Sequence, residues 1–314
     1  MNRREGLTAY VLVVCTLLAG LATRAAESLN GSWAIERSDE PGKVEFTLIH
    51  HERGNSSSHS SAWPTSVFVG LDVSRPGKQE VKFAITRDAG RFDCDGFLDN
   101  GEGAGTFRFQ ADPKYASEMN ALGFNGIDAD KQYSMAVMDV SLNFAKEMKG
   151  EHLEGLDTDK LIAFRIFNVN STFIRELSDA GISVTDCDKL VAFRIHGVTP
   201  EMVRFLRKSG YQPDEDKLIV MRIHGATPEF IEALQKQGYQ HVDLDKLIAF
   251  RIHGVSPEFI QKVQALGYKH PEPDQLIAMR IHGVTPEYIS GLQAHGMQNL
   301  TIDQLVSLRI QGID

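Results

Sequence analysis

Apolar and polar positions change their period once along this chain, close to residue 111. Before that point they alternate. Trp33 and Ile35 share one side, as do Val44, Phe46 and Leu48, then Val81, Phe83 and Ile85, then Phe92 and Cys94, then Phe107 and Phe109. Val67 to Val73 adds a further apolar run. A period of two marks half-buried strands. Pro41-Gly42, Pro76-Gly77, Asp88-Ala89-Gly90 and Asn100-Gly101 supply turns between them. One apolar and one polar side predict an antiparallel sheet covered on one face. About six strands in succession suggest a meander. It is expected to curl on itself or to pack against the first helices that follow. The Ser/His-rich run from Asn55 to Ser61 reads as a mobile loop.

After residue 111 the pattern becomes helical and repeats. The string Leu247-Ile-Ala-Phe-Arg-Ile-His-Gly-Val-Ser-Pro-Glu-Phe-Ile260 has close copies beginning at Leu190, Leu218 and Leu276. The period is 29 residues, with one unit of 28 between Arg194 and Arg222. Periods of this size mark stacked arrays. Thr199-Pro200-Glu201 and its three equivalents carry a helix start. The hydroxyl caps free amides, proline fits the first helical position, and the acid faces the positive end of the helix dipole. Stepping back by the period reaches Asn170, Ser141 and Asp112, all good caps. The ladder is therefore Asp112, Ser141, Asn170, Thr199, Thr227, Ser256 and Thr285, one per unit for seven units. Glycine followed by an apolar residue ends most of these helices, as in Gly210-Tyr211 and Gly238-Tyr239. The unit starting at Ser141 lacks that glycine.

A second helix, A, follows each of these B helices from the second unit on. Its cap is Asp157, Asp186, Asp214, Asp243, Glu272 or Thr301, and it closes at Gly197, Gly225, Gly254, Gly283 or Gly312. Its apolar arc is wide, taking in Leu247, Ile248, Phe250 and Ile252, which predicts the more buried of the two helices. The fold class is α+β: an antiparallel β domain over 26–111, then an αα-hairpin solenoid of seven repeats over 112–314.

Two recurring residues carry candidate chemistry. Arg165, Arg194, Arg222, Arg251, Arg280 and Arg309 project from the apolar arc of helix A. A guanidinium there needs partners. It either ties successive units together through carbonyls and carboxylates, the simpler reading of a residue found in every unit, or forms a stripe that binds an anion or peptide. His196, His224, His253 and His282 stand at the end of helix A, where a partly positive ring suits the helix terminus. A zinc ligand must come within about 2 Å of the metal. Helices stack about 10 Å apart, so one histidine per unit cannot form a metal site alone.

The first 25 residues stand apart. Arg3 and Arg4 lead into an apolar run from Leu7 to Ala22, and Thr23-Arg24-Ala25 offers small residues at a cleavage site. This is the layout of a secretory signal peptide at residues 1–25. The run is shorter than the roughly 20 residues of a spanning helix, and no later stretch is long and apolar enough, so no membrane span is expected after cleavage. Cleavage removes three basic residues and one acid, taking the net charge from −9 to −11. Such a charge argues against nucleic acid as a partner. Cys94 and Cys187 then remain. Cys94 is in phase with the core face, Cys187 falls at a variable turn position, and unpaired thiols are expected.

Enzyme motifs fail on inspection. Asp93, Asp95, Asp99 and Glu102 do not have calcium-loop spacing and read as the wet side of a hairpin. Gly101, Gly103 and Gly105 lack the following Lys-Ser/Thr of a phosphate loop. His59 has no matching nucleophile and acid. There is no His-Glu-x-x-His, Gly-x-Ser-x-Gly or Cys-x-x-Cys. No catalytic residue, metal or cofactor is expected.

The Leu-Ile-Ala-Phe-Arg-Ile-His-Gly repeat resembles one found in uncharacterised exported bacterial proteins. It also resembles C-terminal extensions of bacterial membrane metallopeptidases related to β-lactam sensors. Phe83-Ala-Ile-Thr-Arg-Asp-Ala-Gly90 and Gly103-Ala-Gly-Thr-Phe107 resemble the β segment that often precedes those repeats. The resemblance implies a bacterial, extracytoplasmic protein at the periplasm or cell surface. It does not bring peptidase activity, since that zinc motif is absent, and no site residue carries over. The expected function is non-enzymatic, a scaffold that engages a protein partner through the repeats. The alternatives are a sensor whose β domain binds a small ligand or envelope component, and a hydrolase with its site in that domain.

Overall fold

The computed structural model describes residues 28–52 and 55–313. The expected signal peptide lies outside the described residues. The strands are β1 (Ser28–Arg37), β2 (Lys43–Glu52), β3 (Asn55–Pro64), β4 (Lys78–Arg87), β5 (Gly90–Asp99) and β6 (Glu102–Ala111). They form one antiparallel sheet in the order β3-β2-β1-β6-β5-β4. The sheet is thus two three-stranded meanders joined through β1 and β6, rather than a single meander.

Two expectations about the strands are corrected. The Ser/His-rich run is strand β3, on the edge of the sheet, not a loop. Strands flanked on one side only need few apolar residues, and β3 contributes just Trp63 to the core. Conversely, the apolar run from Val67 to Val73 is no strand. It holds a short 3-10 turn (Thr65–Val67) and one isolated bridge, Val69 to Ala84. Its apolar character serves to drop Phe68 into the core.

The sheet curls strongly. Phe46 on β2 and Phe83 on β4 would lie about 19 Å apart in a flat sheet at about 4.8 Å per strand, yet their ring centroids are 6.4 Å apart. Phe68 plugs that end of the curl, 5.0 Å from Phe46 and 5.7 Å from Phe83. Trp33 lies inside, donating its Nε1 hydrogen toward the Thr106 and Asp95 carbonyls at 3.1 and 3.3 Å. Gly105 gives the indole its seat, because a Cβ there would come within 2.8 Å of Trp33 Cε2. The glycine-rich stretch is therefore a packing device.

Fourteen helices follow among the described residues, as seven pairs. The B helices are α1 (Pro113–Ala121), α3 (Leu142–Gly150), α5 (Ser171–Asp179), α7 (Pro200–Lys208), α9 (Pro228–Lys236), α11 (Pro257–Ala265) and α13 (Pro286–Ala294). The A helices are α2 (Ala129–Val137), α4 (Thr158–Ile166), α6 (Cys187–His196), α8 (Glu215–His224), α10 (Leu244–His253), α12 (Pro273–Ile281) and α14 (Ile302–Ile310). All seven expected B caps accept a bond from a first-turn amide. Asp128 does the same for α2, completing the first pair. Where the Ser141 unit lacks glycine, His152 takes the left-handed turn at φ +53°. At the end of the A helices, Asp139 (φ +53°) and Asn168 (φ +55°) stand where later units have Gly197, Gly225, Gly254, Gly283 and Gly312.

Helices of nine or ten residues are marginal alone and here are held by stacking. Cys187 is the first residue of α6 and is buried, not at an exposed turn; both cysteines are free. Ile252 is exposed, against the expectation that helix A buries its whole apolar arc.

One continuous core runs through both halves. Tyr133 of α2 enters the open end of the curled sheet, between Phe92, Phe107 and Phe109 at 5.6 to 5.9 Å. Beside it, the buried Gln132 amide donates to the carbonyls of Ala89 and Asp112 at 2.7 and 2.6 Å. These two carbonyls belong to the β4–β5 turn and the cap of α1, so one side chain ties both halves together.

Candidate functional site

The arginine row sits in the last turn of each A helix from α4 onward. Its guanidinium groups reach back one unit. Arg165 Nε donates to Met138 O at 3.0 Å, Arg194 Nε to Asn168 O at 2.9 Å, and Arg222 Nε to His196 O at 3.0 Å. Arg251 and Arg280 donate to the carbonyls of His224 and His253, each at 3.3 Å. These acceptors are orphan carbonyls at helix C-termini, which no intrahelical amide reaches. The cations also suit the negative end of the dipole.

Five of these six guanidinium groups also lie over an aromatic ring. Arg165 lies over Phe144, Arg194 over Phe173, Arg251 over Phe230, Arg280 over Phe259 and Arg309 over Tyr288, at 4.1 to 5.2 Å. The aromatic is always three residues past a B cap, a position that Met202 occupies in the Thr199 unit. A cation over a ring is worth about 0.5–1 kcal/mol at exposed sites. Gly197 suits the left-handed turn at φ +70° and leaves room for Arg222 Nη2, which a Cβ there would approach to 2.8 Å. The arginines thus bond units to one another. Of His196, His224 and His253, the row uses the backbone carbonyl. His282 caps the end of α12. Among the described residues no group of three or more His, Cys, Asp or Glu is placed to hold a metal.

Two further rows escaped the sequence reading. Lys131, Lys160, Lys189, Lys217 and Lys246 bond to Asp159, Asp188, Asp216, Asp245 and Asp274 of the next unit. The aspartates are 72–77% exposed, so each pair contributes little to stability. The second row is apolar. Ile166, Ile195, Ile223, Ile252, Ile281 and Ile310 are 52–63% exposed, one on each A helix after the first. The signal for this was helical spacing: Asp245, Ala249 and Ile252 fall on one side of α10, whereas Leu247 and Phe250 fall on another. Rows of aspartate, small residue and isoleucine therefore run the length of the solenoid.

The chain matches no protein-family model, and no curated protein matches it. Among the described residues no helix is long and apolar enough to cross a membrane.

The B-helix ends supply a third tie. Tyr211, Tyr239 and Tyr268 donate their hydroxyls to the carbonyls of Val242, Pro271 and Leu300 at 2.7 to 2.9 Å. Burial pushes the Tyr239 phenol up to about 12, so it remains a donor across the ordinary pH range. With arginine, lysine and tyrosine joining successive units, the isoleucine row stays exposed to solvent.

Proposed function

We propose that this protein is a non-enzymatic, extracytoplasmic docking protein whose A face receives an extended segment of a partner polypeptide. The observation that carries this reading is the row of exposed isoleucines, one on each A helix after the first. A folded chain gains nothing from keeping six such side chains in water. Rows of exposed apolar residues with a polar border mark interaction sites.

The spacing selects the partner's conformation. Packed helices lie about 8–10 Å apart. A polyproline II strand advances about 9 Å in three residues, so an apolar side chain at every third position meets one isoleucine per unit. The aspartates bordering the row pair with lysines yet stay 72–77% exposed, so each keeps acceptor capacity for a basic residue of the partner. The export expected from residues 1–25, together with the repeat's resemblance to exported bacterial proteins, supports a partner outside the cytoplasm.

The test uses the full chain and a synthetic peptide with one Lys-Pro-Leu triplet per isoleucine, measured by fluorescence anisotropy. Saturable binding is expected. It should weaken about tenfold or more when leucine is moved to every fourth position, and again in Ile223→Lys/Ile252→Lys. Both positions are exposed, so the fold should survive, which circular dichroism checks. Equal binding of the two peptides, or no loss in the double variant, overturns the reading.

A further inference from the structure

The sheet and the solenoid meet along a second line, away from Tyr133. There the edge strand β3, the 3-10 turn, the end of β4 and the ends of α2 and α4 enclose a cleft of about 630 Å³. That lies within the range of small-ligand sites, about 300–1,000 Å³. Its lining includes Trp63, Val67, Arg87, Asp139, Arg165 and Ile166.

The charges are uneven. Arg87 Nη1 lies 3.3 Å from Asp139 Oδ1, and Arg165 Nη2 lies 3.3 Å from Asp139 Oδ2. Two guanidinium groups therefore share one carboxylate. Burial holds His59 below its ordinary pKa, so this ring adds no charge near neutrality. The cleft keeps a surplus of one positive charge in a chain whose net charge is −9. Arg87 Nε has no acceptor in the protein. Its guanidinium lies over Trp63 at 5.0 Å, and Trp63 in turn donates to Ser61 Oγ at 2.7 Å, which fixes the indole.

Asp139 is the position where the repeat breaks its own rule. Five later units place glycine here, and the left-handed turn costs an ordinary residue about 1–2 kcal/mol. Asparagine or glycine would end the helix as well, as Asn168 does one unit on. What the aspartate adds is a carboxylate that holds Arg87 of the sheet and Arg165 of the solenoid side by side.

We infer that this cleft binds a small monocarboxylate with an apolar body. The carboxylate seats between Arg87 and Arg165, and the body packs against Trp63, Val67 and Ile166. A single negative charge balances the surplus, whereas a phosphate dianion would overshoot it. The planar fork of guanidinium matches a carboxylate geometrically. Such a group is found on free aryl or acyl acids and on the C-terminus of a peptide ending in an apolar residue.

Calorimetry on the full chain tests this with 3-phenylpropionate and its neutral amide. The acid should bind saturably and the amide about tenfold or more weaker, the loss expected for a charge-assisted bond. Arg165→Gln should cost the acid a similar factor and leave the amide unchanged. N-acetyl-alanyl-phenylalanine, with its end free or amidated, tells a chain end from a free acid by which one binds tighter. Acid and amide binding alike, no saturable heat from the acid at about 10 mM, or no loss of acid binding in a folded Arg165→Gln overturns the inference.

Discussion

The sheet and the solenoid solve the same problem in opposite ways. In the sheet the tie that joins the two meanders is made once and between distant residues: the pairing of β1 with β6 joins Ser28 to Gln110. In the solenoid each contact is made many times and across one unit. Arginine, lysine and tyrosine ties span 26 to 32 residues and recur from one helix pair to the next. Closing long loops is entropically costly before any contact forms, so the sheet must form as a whole. A stacked array can lose one interface and keep the others. The two halves are then separable in principle, but Tyr133 and Gln132 of α2 sit inside the sheet's end of the core. The first pair of helices belongs energetically to the sheet.

The largest effect should come from the sheet. Phe92→Ala removes a fully buried ring at the centre of the Phe107, Phe109 and Tyr133 cluster and should cost about 3–5 kcal/mol in chemical denaturation. The two buried thiols report each half separately. Burial holds Cys94 well above the usual thiol range, and pushes Cys187 up to about 11, so neither should react in the folded state. In Phe92→Ala, mass spectrometry after thiol labelling should show Cys94 modified well before Cys187. If both become reactive together, the halves unfold as one body and the contrast fails.

Next in size is Gln132→Leu, which leaves the Ala89 and Asp112 carbonyls buried without a donor. A loss of about 1–3 kcal/mol is expected, with hydrogen exchange rising in α1, α2 and the β4–β5 turn but not beyond α6. A smaller and more local change should follow Thr227→Ala. Removing that cap should weaken its unit by about 1 kcal/mol and raise exchange in α9 and its neighbours, with the sheet untouched.

The smallest effect is set by pH. In Glu201, Glu258 and Glu287 the residue's own backbone amide, and in Glu229 the Thr227 hydroxyl, holds the carboxyl below its ordinary value of 4.5. A folded-state value below the unfolded one gives stability that is full above about 4.5. It is lost as pH falls through the folded-state values. The solenoid should therefore weaken modestly on acidification, and Glu229→Gln should flatten that dependence in thermal melts between neutral pH and about pH 3.

Sequence reading was uneven for physical reasons. The cap ladder from Asp112 to Thr285 was legible because capping is decided within four residues. The positive-φ stops were legible wherever glycine fills them, and were missed at Asp139 and His152, where another residue bears the strain. Strand β3 was missed because an edge strand with a serine-rich face has no apolar alternation to detect. The run at Val67 was misread because one buried ring, Phe68, and a chain crossing the mouth of a curled sheet look the same as a strand.

The chain's own pattern settled the array: how many units it has, where each B helix starts, and which residues recur. Those features depend on neighbours along the chain or one period away. Tertiary structure alone decided that the arginines bond carbonyls, that Ile252 and its equivalents face water, and that Arg87, Asp139 and Arg165 converge. An amphipathic arc shows which residues can be covered, but coverage depends on where the next helix lies. The cleft joins a strand end, a turn and two helix ends, and no local period carries information about that meeting.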